Sequence, residues 1–261
     1  MASKGYAVEL TGVRFKSSRF ADRYILDNVS IGFRKSEFTV IVGPNGAGKS
    51  SILKAIAGEL RITGQVTVGG RMIDRPINQL IDGVGIVHQF ESADLIDHLS
   101  IAQNFSIRQI LGGGHSGGRI FADSNAWRRG ISTVLASNAH LVDFSIDDIV
   151  GNLSGGRKQM LSIAIAMHLE HHQNPCRLLL LDEHTSRLDP RNAARVMQYT
   201  AEQVREADAT TVMVTHRYAE ALPHADRVLV VGNGRICHDH RADTMTAFDL
   251  GALVDAASTT S

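Results

Sequence analysis

The alternation of apolar and polar residues predicts a series of strands in the first third of the chain. These strands are a short segment around Val8, Leu10 and Val13, followed by residues 25–33, 38–42, 66–68 and 84–87. The run at 38–42 has the length and apolar character of a strand buried on both faces. Apolar residues at helical spacing in 50–60 predict a helix directly after it.

The pattern changes to helical spacing from about residue 94 to residue 172. Two apolar stripes indicate helices in this block, Ile101, Phe105 and Ile110 in the first and Trp127, Ile131 and Leu135 in the second. The glycine-rich segment 112–118 between them predicts an exposed, flexible connection. Strands return at 178–181, 211–215 and 228–231, and they alternate with helices at 190–206 and around 218–222.

This order predicts an α/β fold with a parallel core sheet that is interrupted by an inserted α-helical subdomain. We expect one domain over residues 6–250. Its core is formed by 6–93 and 173–250, its helical subdomain by about 94–172, and a C-terminal tail by 251–261.

Composition narrows the class of protein. The 261 residues carry 27 basic and 27 acidic side chains, and a net charge of zero argues against a broad nucleic-acid-binding face. No apolar run approaches the roughly 18 residues that span a bilayer, and the first residues do not resemble a secretory signal. Cys176 and Cys237, far apart and without metal-binding spacing, are interpreted as buried free thiols in a reducing compartment. We therefore expect a soluble cytosolic protein that needs other chains to cross a membrane.

The strongest chemical signal is a glycine-rich loop between the strand 38–42 and the helix that follows. The loop matches the phosphate-binding pattern GxxxxGK[ST] at every position. Glycines let backbone N–H groups turn toward phosphates, Lys49 can reach the β- and γ-phosphates, and the Ser50 hydroxyl can bind Mg²⁺. The predicted ATP-binding residues are Gly43, Pro44, Asn45, Gly46, Ala47, Gly48, Lys49, Ser50 and Ser51.

Two acidic residues follow the leucine strand at 178–181. Ligands of parallel α/β sheets bind at the carboxyl ends of the strands, so Asp182 is a candidate Mg²⁺ ligand there. Glu183 is one residue further on and faces another way, so it is the candidate for polarising the attacking water.

A third motif, Leu153-Ser154-Gly155-Gly156-Arg157, is a serine-glycine turn that leads into an apolar helix. Such a turn is a second helix-N-terminal anion site. It resembles the LSGGQ signature of ATP-binding cassette (ABC) ATPases and departs from it at Arg157. In that family two subunits pack head to tail, and the signature of one closes over the γ-phosphate held by the other.

The resemblance covers about residues 8–236 and implies a P-loop NTPase cassette, with a mainly parallel core sheet, an N-terminal antiparallel β subdomain and an inserted α-helical signature subdomain. It also implies further residue roles. Gln89 matches the Q-loop glutamine, which contacts Mg²⁺ or water and senses the membrane partner. His216 matches the switch histidine, which contacts the γ-phosphate and Glu183. The residues Ser186, Leu188 and Asp189 match the D-loop, which lies across the dimer interface.

The chain also departs from the family pattern. The aromatic residue that stacks on adenine in the family falls at Ser17 in the commonest register, with Phe15, Phe20 and Tyr24 as nearby alternatives. His88 and Phe90 flank Gln89 where the family more often has an aromatic residue before and an acid after, which implies an unusual choice of permease.

The resemblance implies an ATP-hydrolysing transport subunit, with ATP and Mg²⁺ as its cofactors. Within the family, the chain looks most like a group of bacterial importer ATPases, some of which are linked to amino-acid uptake. This likeness rests on the segment 182–190, although His184 stands there in place of the usual proline. The expected partners are a second copy of the chain, transmembrane permease subunits and, indirectly, an extracytoplasmic solute-binding protein, but no nucleic acid. The expected location is the cytoplasmic face of the cell membrane, as a peripheral subunit. The alternative is a soluble ABC ATPase that remodels a protein complex, as in iron–sulfur cluster assembly.

The twelve histidines suggest a competing metal-binding hypothesis. The candidate ligands are His168, His171 and His172 at a predicted helix end, and His238 and His240 on either side of Asp239. The i, i+3/i+4 spacing could bind a metal, but the sequence fixes no complete set of ligands, so surface histidines without metal are the simpler interpretation.

Overall fold

A computed structural model describes residues 5–17, 23–73, 83–89, 94–111, 125–136, 143–168 and 177–259. The strands are β1 (Tyr6–Lys16), β2 (Tyr24–Arg34), β3 (Phe38–Val42), β4 (Thr63–Val68), β5 (Arg71–Met72), β6 (Val84–Val87), β7 (Leu178–Asp182), β8 (Thr210–Val214), β9 (Arg227–Gly232) and β10 (Arg235–Arg241). The α-helices are α1 (Lys49–Ile56), α2 (Ile101–Leu111), α3 (Asn125–Ala136), α4 (Gly155–His168), α5 (Pro190–Glu206), α6 (Tyr218–Ala221) and α7 (Ala247–Thr259). Short 3₁₀ turns cover Val150–Asn152, Leu222–His224 and Ala242–Thr244.

The described strands form two sheets. The central sheet has the order β10-β9-β3-β8-β7-β6 and is parallel except for the β9–β10 pair. Every residue of β3 and β8 is buried, as expected for strands covered on both faces. The N-terminal sheet, β2-β1-β4-β5, is antiparallel.

Two hydrophobic cores cover the two faces of the central sheet. Alternate residues of each strand point into each core, since successive side chains of a strand face opposite ways. On one face, Ile41, Val214 and Leu180 pack with α1 and the antiparallel sheet. On the other face, Val40, Met213 and Leu179 pack with the helical subdomain, α5 and α7. The carboxyl ends of β3, β7 and β8 are thereby fixed side by side.

The predicted fold class, a mainly parallel core sheet with an antiparallel N-terminal sheet and inserted helices, is confirmed. The helix after the glycine loop ends at Ile56 rather than residue 60, because Gly58 adopts a φ of 73°. The N–H groups of Gly58 and Glu59 donate to the carbonyls of Ala55 and Lys54, which is the Schellman arrangement that ends helices.

Two expectations were wrong in the C-terminal part of the chain. Residues beyond 250 were expected to form a tail, but α7 continues to Thr259, and its Ala257 is buried against the sheet. Cys237 was expected to be buried, but it lies exposed on β10, at the edge of the central sheet.

Some predicted features lie outside the described residues: Cys176 and the glycine-rich segment 112–118. Within the described ranges, no helix combines the length and the apolar character that crossing a membrane requires.

Candidate active site

A cleft of about 410 Å³ opens at the carboxyl end of β3. Five segments meet there: the glycine loop, the first turn of α1, the start of β2, the residue after β7 and the turn between β9 and β10. The described residues that line it are Arg23, Tyr24, Ile25, Asn45, Gly46, Ala47, Gly48, Lys49, Ser50, Ser51, Glu183, Asn233 and Gly234.

The glycine loop passes so close to its neighbours that side chains are excluded at two positions. A Cβ atom at Gly43 would lie 2.1 Å from the carbonyl oxygen of Val231, and one at Gly48 would lie 2.6 Å from that of Ile25. Gly48 has a φ of 101°, and no side chain caps α1 at this end. The first N–H groups of α1 can therefore bind an anion.

Lys49 is held inside this loop, with only 6% of its surface exposed. Its Nζ donates hydrogen bonds to the carbonyl oxygens of Gly43 (2.8 Å) and Pro44 (2.9 Å), which accept two of the three ammonium protons. Burial lowers the pKa of the Lys49 ammonium, and the carboxylates of Glu183 and Asp182 partly offset that shift. The ammonium is thus placed against the loop at the floor of the cleft.

Ser50 and Asp182 face each other across the start of α1. The Ser50 hydroxyl donates to Asp182 Oδ1 over 2.8 Å. A hydroxyl and a carboxylate are hard oxygen ligands of the type that Mg²⁺ prefers beside a phosphate. Among the residues predicted to bind Mg²⁺, these two are in direct contact, so their chemistry fits the ion.

Glu183 connects the other two residues predicted to be catalytic. Gln89 Nε2 donates to Glu183 Oε2 over 3.0 Å, and His216 Nε2 lies 2.7 Å from Glu183 Oε1. Glu183 itself has a φ of 48°, and its backbone N–H donates to the carbonyl of Val214. A non-glycine residue in this conformation costs about 1–3 kcal/mol, a type of strain that clusters at functional sites. The resulting group brings together the ends of β6, β7 and β8.

The predicted signature residues occupy a different part of the molecule. Helix α4 begins at Gly155, and the Arg157 guanidinium lies over the Phe144 ring, 4.4 Å from its centroid. The described residues that line the cleft include none of Leu153, Ser154, Gly155, Gly156 and Arg157.

The predicted D-loop connects β7 to α5. The Ser186 N–H donates to the carbonyl of Glu183, and Asp189 caps α5 by accepting from the N–H of Asn192 at 3.1 Å. Pro190 follows as the first residue of the helix, a position that suits proline. The loop is therefore a tight turn that begins at the catalytic candidate and ends at a helix cap.

The structure also places two residues in the cleft that the sequence analysis missed. Asn233 and Gly234 form the β9–β10 turn with positive φ values of 47° and 75°, as a type I′ hairpin turn requires. The Gly234 N–H donates to the carbonyl of Ala47, and Arg23 donates to Asn233 Oδ1. The Asn-Gly pair between two apolar or alternating segments is a recognised hairpin signal that could have identified this wall.

The structure distinguishes among the four candidates for the residue that stacks on adenine. Tyr24 lines the cleft and is 40% exposed, with Lys16 Nζ 4.4 Å from its ring centroid. Phe15 packs against the core of the antiparallel sheet instead. Ser17 is not among the lining residues described, and Phe20 lies outside the described residues.

His88, the residue before Gln89, is held by two carboxylates. Its Nδ1 lies 2.7 Å from Oδ1 of Asp94, and its Nε2 lies 3.9 Å from Oε1 of Glu59. The hydrogen bond to Asp94, and then the carboxylate of Glu59, raises the pKa of His88 to about 9. The imidazolium connects the end of α1 to the start of the helical subdomain. Phe90, on the other side of Gln89, lies outside the described residues.

The remaining histidines do not form a metal centre in the described part of the chain. No group of three or more histidine, cysteine, aspartate or glutamate side chains that could hold a metal ion is present there. His238 and His240 stack at 5.9 Å between ring centroids, while the side chain of His168, and His171 and His172, lie outside the described residues. His184 is buried, and burial lowers its pKa to about 3.

His88 and His184 predict opposite pH dependences of stability. The pKa of His88 is raised from 6.5 to about 9, so its contribution is complete below pH 6.5 and is lost as the pH rises through 9. The pKa of His184 is lowered to about 3, so stability is lost as the pH falls from 6.5 toward 3, where only the unfolded chain binds that proton. We expect the free energy of unfolding, measured by urea denaturation, to be greatest near pH 6.5.

Two variants separate these contributions. In wild type, the free energy of unfolding is expected to fall by at most about 3 kcal/mol between pH 6.5 and 9.5, because one pKa unit corresponds to 1.36 kcal/mol. In His88→Gln this decrease is expected to be absent. In His184→Gln the free energy of unfolding is instead expected to depend less on pH below pH 6.5. An alkaline fall of equal size in wild type and His88→Gln would show that His88 is not responsible.

The site and the fold define a nucleotide-binding cassette of the P-loop NTPase type. The family model described as ABC transporter matches residues 26–186, more than half of the chain. The chain belongs to the ABC transporter family.

Three curated relatives illustrate the range of the family around this chain. The phosphonates import ATP-binding protein PhnC 1 of Haloquadratum walsbyi is 34% identical over 84% of this chain and 68% of its own length. The tyrosine transport ATP-binding protein of Clostridioides difficile is 31% identical over 82% and 83%. A putative ribose/galactose/methyl galactoside import ATP-binding protein of Burkholderia ambifaria is 32% identical over 90% of this chain. The chain spans only 43% of the length of that last protein.

Solved structures share the fold over nearly the whole chain. CbiO1 of Clostridium perfringens, part of the ABC transporter complex cbiONQ, covers 97% of this chain and 96% of its own, with a TM-score of 0.76 and 23% identity. A dimeric ATP-binding cassette in a post-hydrolysis state with ADP and phosphate covers 90% and 98%, with a TM-score of 0.68 and 26% identity.

Proposed function

We propose that the chain is the ATP-binding and ATP-hydrolysing subunit of an ABC importer, which drives translocation through separate permease subunits. The observation that carries the proposal is the convergence of two groups at one edge of the sheet. Ser50 of the Ser50–Asp182 pair and Glu183 of the Gln89–Glu183–His216 group both line the cleft at the glycine loop.

The glycine loop would hold the ATP phosphates. Residues 43–51 supply backbone N–H groups at the start of α1, and Lys49 supplies the positive charge nearest the β- and γ-phosphates. Ser50, Asp182 and Gln89 would hold Mg²⁺, which when bound neutralises charge on the phosphate oxygens. Tyr24 would stack on adenine at the open end of the cleft.

Glu183 would orient the attacking water and accept its proton. Its side chain is 15% exposed and lines the cleft. Gln89 and His216 each contact one of its two oxygens, and these contacts fix the direction in which the carboxylate points. A positioned general base of this kind contributes about 10²–10⁴-fold to a rate.

A second copy of the chain would complete each site. Because the signature residues 153–157 do not line the cleft of their own chain, they are available to close over the cleft of a partner. Ser186, Leu188 and Asp189 would then lie at the interface between the two copies. The structure of the relative with ADP and phosphate is dimeric, which supports the pairing of two copies.

The membrane role rests on the relatives. Those named above serve phosphonate, tyrosine and sugar transport, and all match at 31–34% identity. Such different substrates on one cassette support substrate selection by other subunits, namely the permease and an extracytoplasmic solute-binding protein. The chain would sit peripherally on the cytoplasmic face of the membrane.

Co-purification tests the transport assignment. The tagged chain, expressed in its own cell and extracted with mild detergent, is expected to be recovered with a polytopic membrane protein, and the recovered complex is expected to hydrolyse ATP. Recovery with soluble partners alone would overturn the transport role and favour a soluble ABC ATPase that remodels a protein complex.

Tyr24 provides a test of the nucleotide orientation. Tyr24→Ala is expected to weaken ATP binding by about 2- to 12-fold, since a stacked aromatic pair contributes about 0.5–1.5 kcal/mol beyond its buried area. Tyr24→Phe keeps the ring and is expected to bind ATP as wild type does. Calorimetry with ATP and with tripolyphosphate measures both. Equal weakening for tripolyphosphate, which has no base to stack, would contradict the proposed contact.

A further inference from the structure

Arg217 connects two loops of the site, and neither the sequence motifs nor the roles above account for it. It follows His216 directly. Its Nη2 donates to the carbonyl oxygen of Leu188 over 2.7 Å, and its Nη1 donates to Glu220 Oε1 over 3.2 Å. Its backbone N–H donates to the Thr215 hydroxyl over 2.9 Å. The Arg217 side chain is 27% exposed, and the hydrogen bonds to Leu188 and Glu220 hold its guanidinium between them.

The segment that Arg217 contacts is the predicted D-loop. At one end, Glu183 donates its backbone N–H to Val214 and its carboxylate contacts His216. At the other end, Leu188 is buried and its carbonyl accepts from Arg217. The five-residue stretch 184–188 is thus attached at both ends to the turn after β8.

We infer that Arg217 is a positioning residue that fixes the D-loop to the turn carrying the switch histidine. Because the two loops then move as one unit, the state of Glu183 and His216 in one chain is transmitted to Ser186 and Asp189 at the partner's site. This consequence rests on the proposed head-to-tail dimer, whereas the attachment of the D-loop to Arg217 does not.

The planar guanidinium is the feature that makes the connection. It presents N–H groups in two directions at once, one toward a backbone carbonyl and one toward a carboxylate. A lysine ammonium is a point charge that reaches one of them. Methionine keeps much of the length and apolar stem of arginine and removes every donor, so Arg217→Met deletes the connection with little change in volume.

Hydrogen exchange in the nucleotide-free protein tests the attachment. The N–H groups of Ser186 and Leu188 are protected by hydrogen bonds to the carbonyls of Glu183 and Thr185. In Arg217→Met we expect both to exchange about 10-fold faster or more, the factor lost with a hydrogen bond to a charged donor, while the interior of α5 is unchanged. In Arg217→Lys the exchange rates of these two N–H groups are expected to lie between those of wild type and Arg217→Met. Arg205→Met, at the far end of α5, is the matched control. Unchanged exchange at 186 and 188, or a uniform increase across the core, overturns the inference.

Mixed dimers test the consequence for the partner's site. Two differently tagged full-length chains are combined so that one carries Glu183→Gln and only the other can hydrolyse ATP. Adding Arg217→Met to the inactive chain is expected to lower kcat at the active site about 10-fold or more with KM for ATP within twofold, the factor lost with one hydrogen bond to a charged donor. Adding Arg205→Met to the inactive chain instead is expected to leave kcat unchanged.

Two outcomes distinguish a failure of the transmission between sites from a failure of the proposed function. No change in kcat when the inactive chain carries Arg217→Met overturns the transmission to the partner's site, even if exchange becomes faster. A wild-type chain without ATPase activity contradicts the proposed function instead, and in that case the exchange experiment still decides whether Arg217 holds the D-loop.

Discussion

Replacing Glu183 with glutamine is expected to lower ATP turnover by about 10²–10⁴-fold while ATP binding is retained. The amide has nearly the shape of the carboxylate and can stay beside Gln89 and His216. In the wild-type protein these two residues lie 3.0 Å and 2.7 Å from the carboxylate oxygens. It cannot accept a proton from water at neutral pH. Because the glycine loop, Lys49 and Ser50 are untouched, the ATP-bound dimer is expected to accumulate.

Three measurements check this result. Phosphate release at saturating ATP gives the turnover rate, calorimetry gives the ATP affinity, and size-exclusion chromatography with ATP gives the fraction of dimer. Glu206→Gln, which makes the same chemical change at an exposed position on α5, is the matched control and is expected to behave as wild type. Wild-type turnover in Glu183→Gln would show that another group activates the water.

The glycine-loop part of this cleft could be predicted because its parts are contiguous in the chain. A buried strand, a glycine loop and a helix N-terminus occur in immediate succession, and each has a local physical signature. The Gln89–Glu183–His216 group is different, since its members follow three strands that are distant in sequence. Their contacts depend on the strand order β8-β7-β6, which residue patterns alone do not determine. Only the family resemblance placed them together.

Other features had a local signal that was overlooked. Helix α7 begins with reciprocal bonds between Thr246 and Asp249, in which the N–H of Asp249 donates to Thr246 Oγ1 and that of Thr246 donates to Asp249 Oδ2. This arrangement resembles a capping box, whose three-residue spacing is visible in the sequence. Cys237 lies in a strand of mostly polar residues, which indicates an exposed edge rather than a core.

The contact of Arg217 had no such signal. Its main acceptor is the backbone carbonyl of Leu188, and every residue offers a carbonyl, so no residue type marks the partner. Contacts of this kind depend on the packing of the turn after β8 against the D-loop. They become apparent only when both loops have been placed.

Replacing Ser154 with arginine is expected to abolish ATP hydrolysis and ATP-driven dimerisation. Helix α4 begins at Gly155, so residue 154 stands at its N-terminus, where the helix dipole disfavours a positive charge by about 0.3–1 kcal/mol. The larger effect is steric, because a long side chain would stand between this turn and the nucleotide of the partner. Binding of ATP by the monomer is expected to stay within about twofold of wild type, since Ser154 does not line the cleft of its own chain.

Ser132→Arg, at an exposed position on α3 in the same subdomain, is the matched control for charge and size. Monomer affinity is measured by calorimetry at low protein concentration, and dimerisation by light scattering with ATP in the Glu183→Gln background, where turnover does not deplete the dimer. Active Ser154→Arg dimers would show that the signature turn is not in the interface. Loss of ATP binding by the Ser154→Arg monomer would place this turn at the nucleotide of its own chain, and the head-to-tail arrangement would then be wrong.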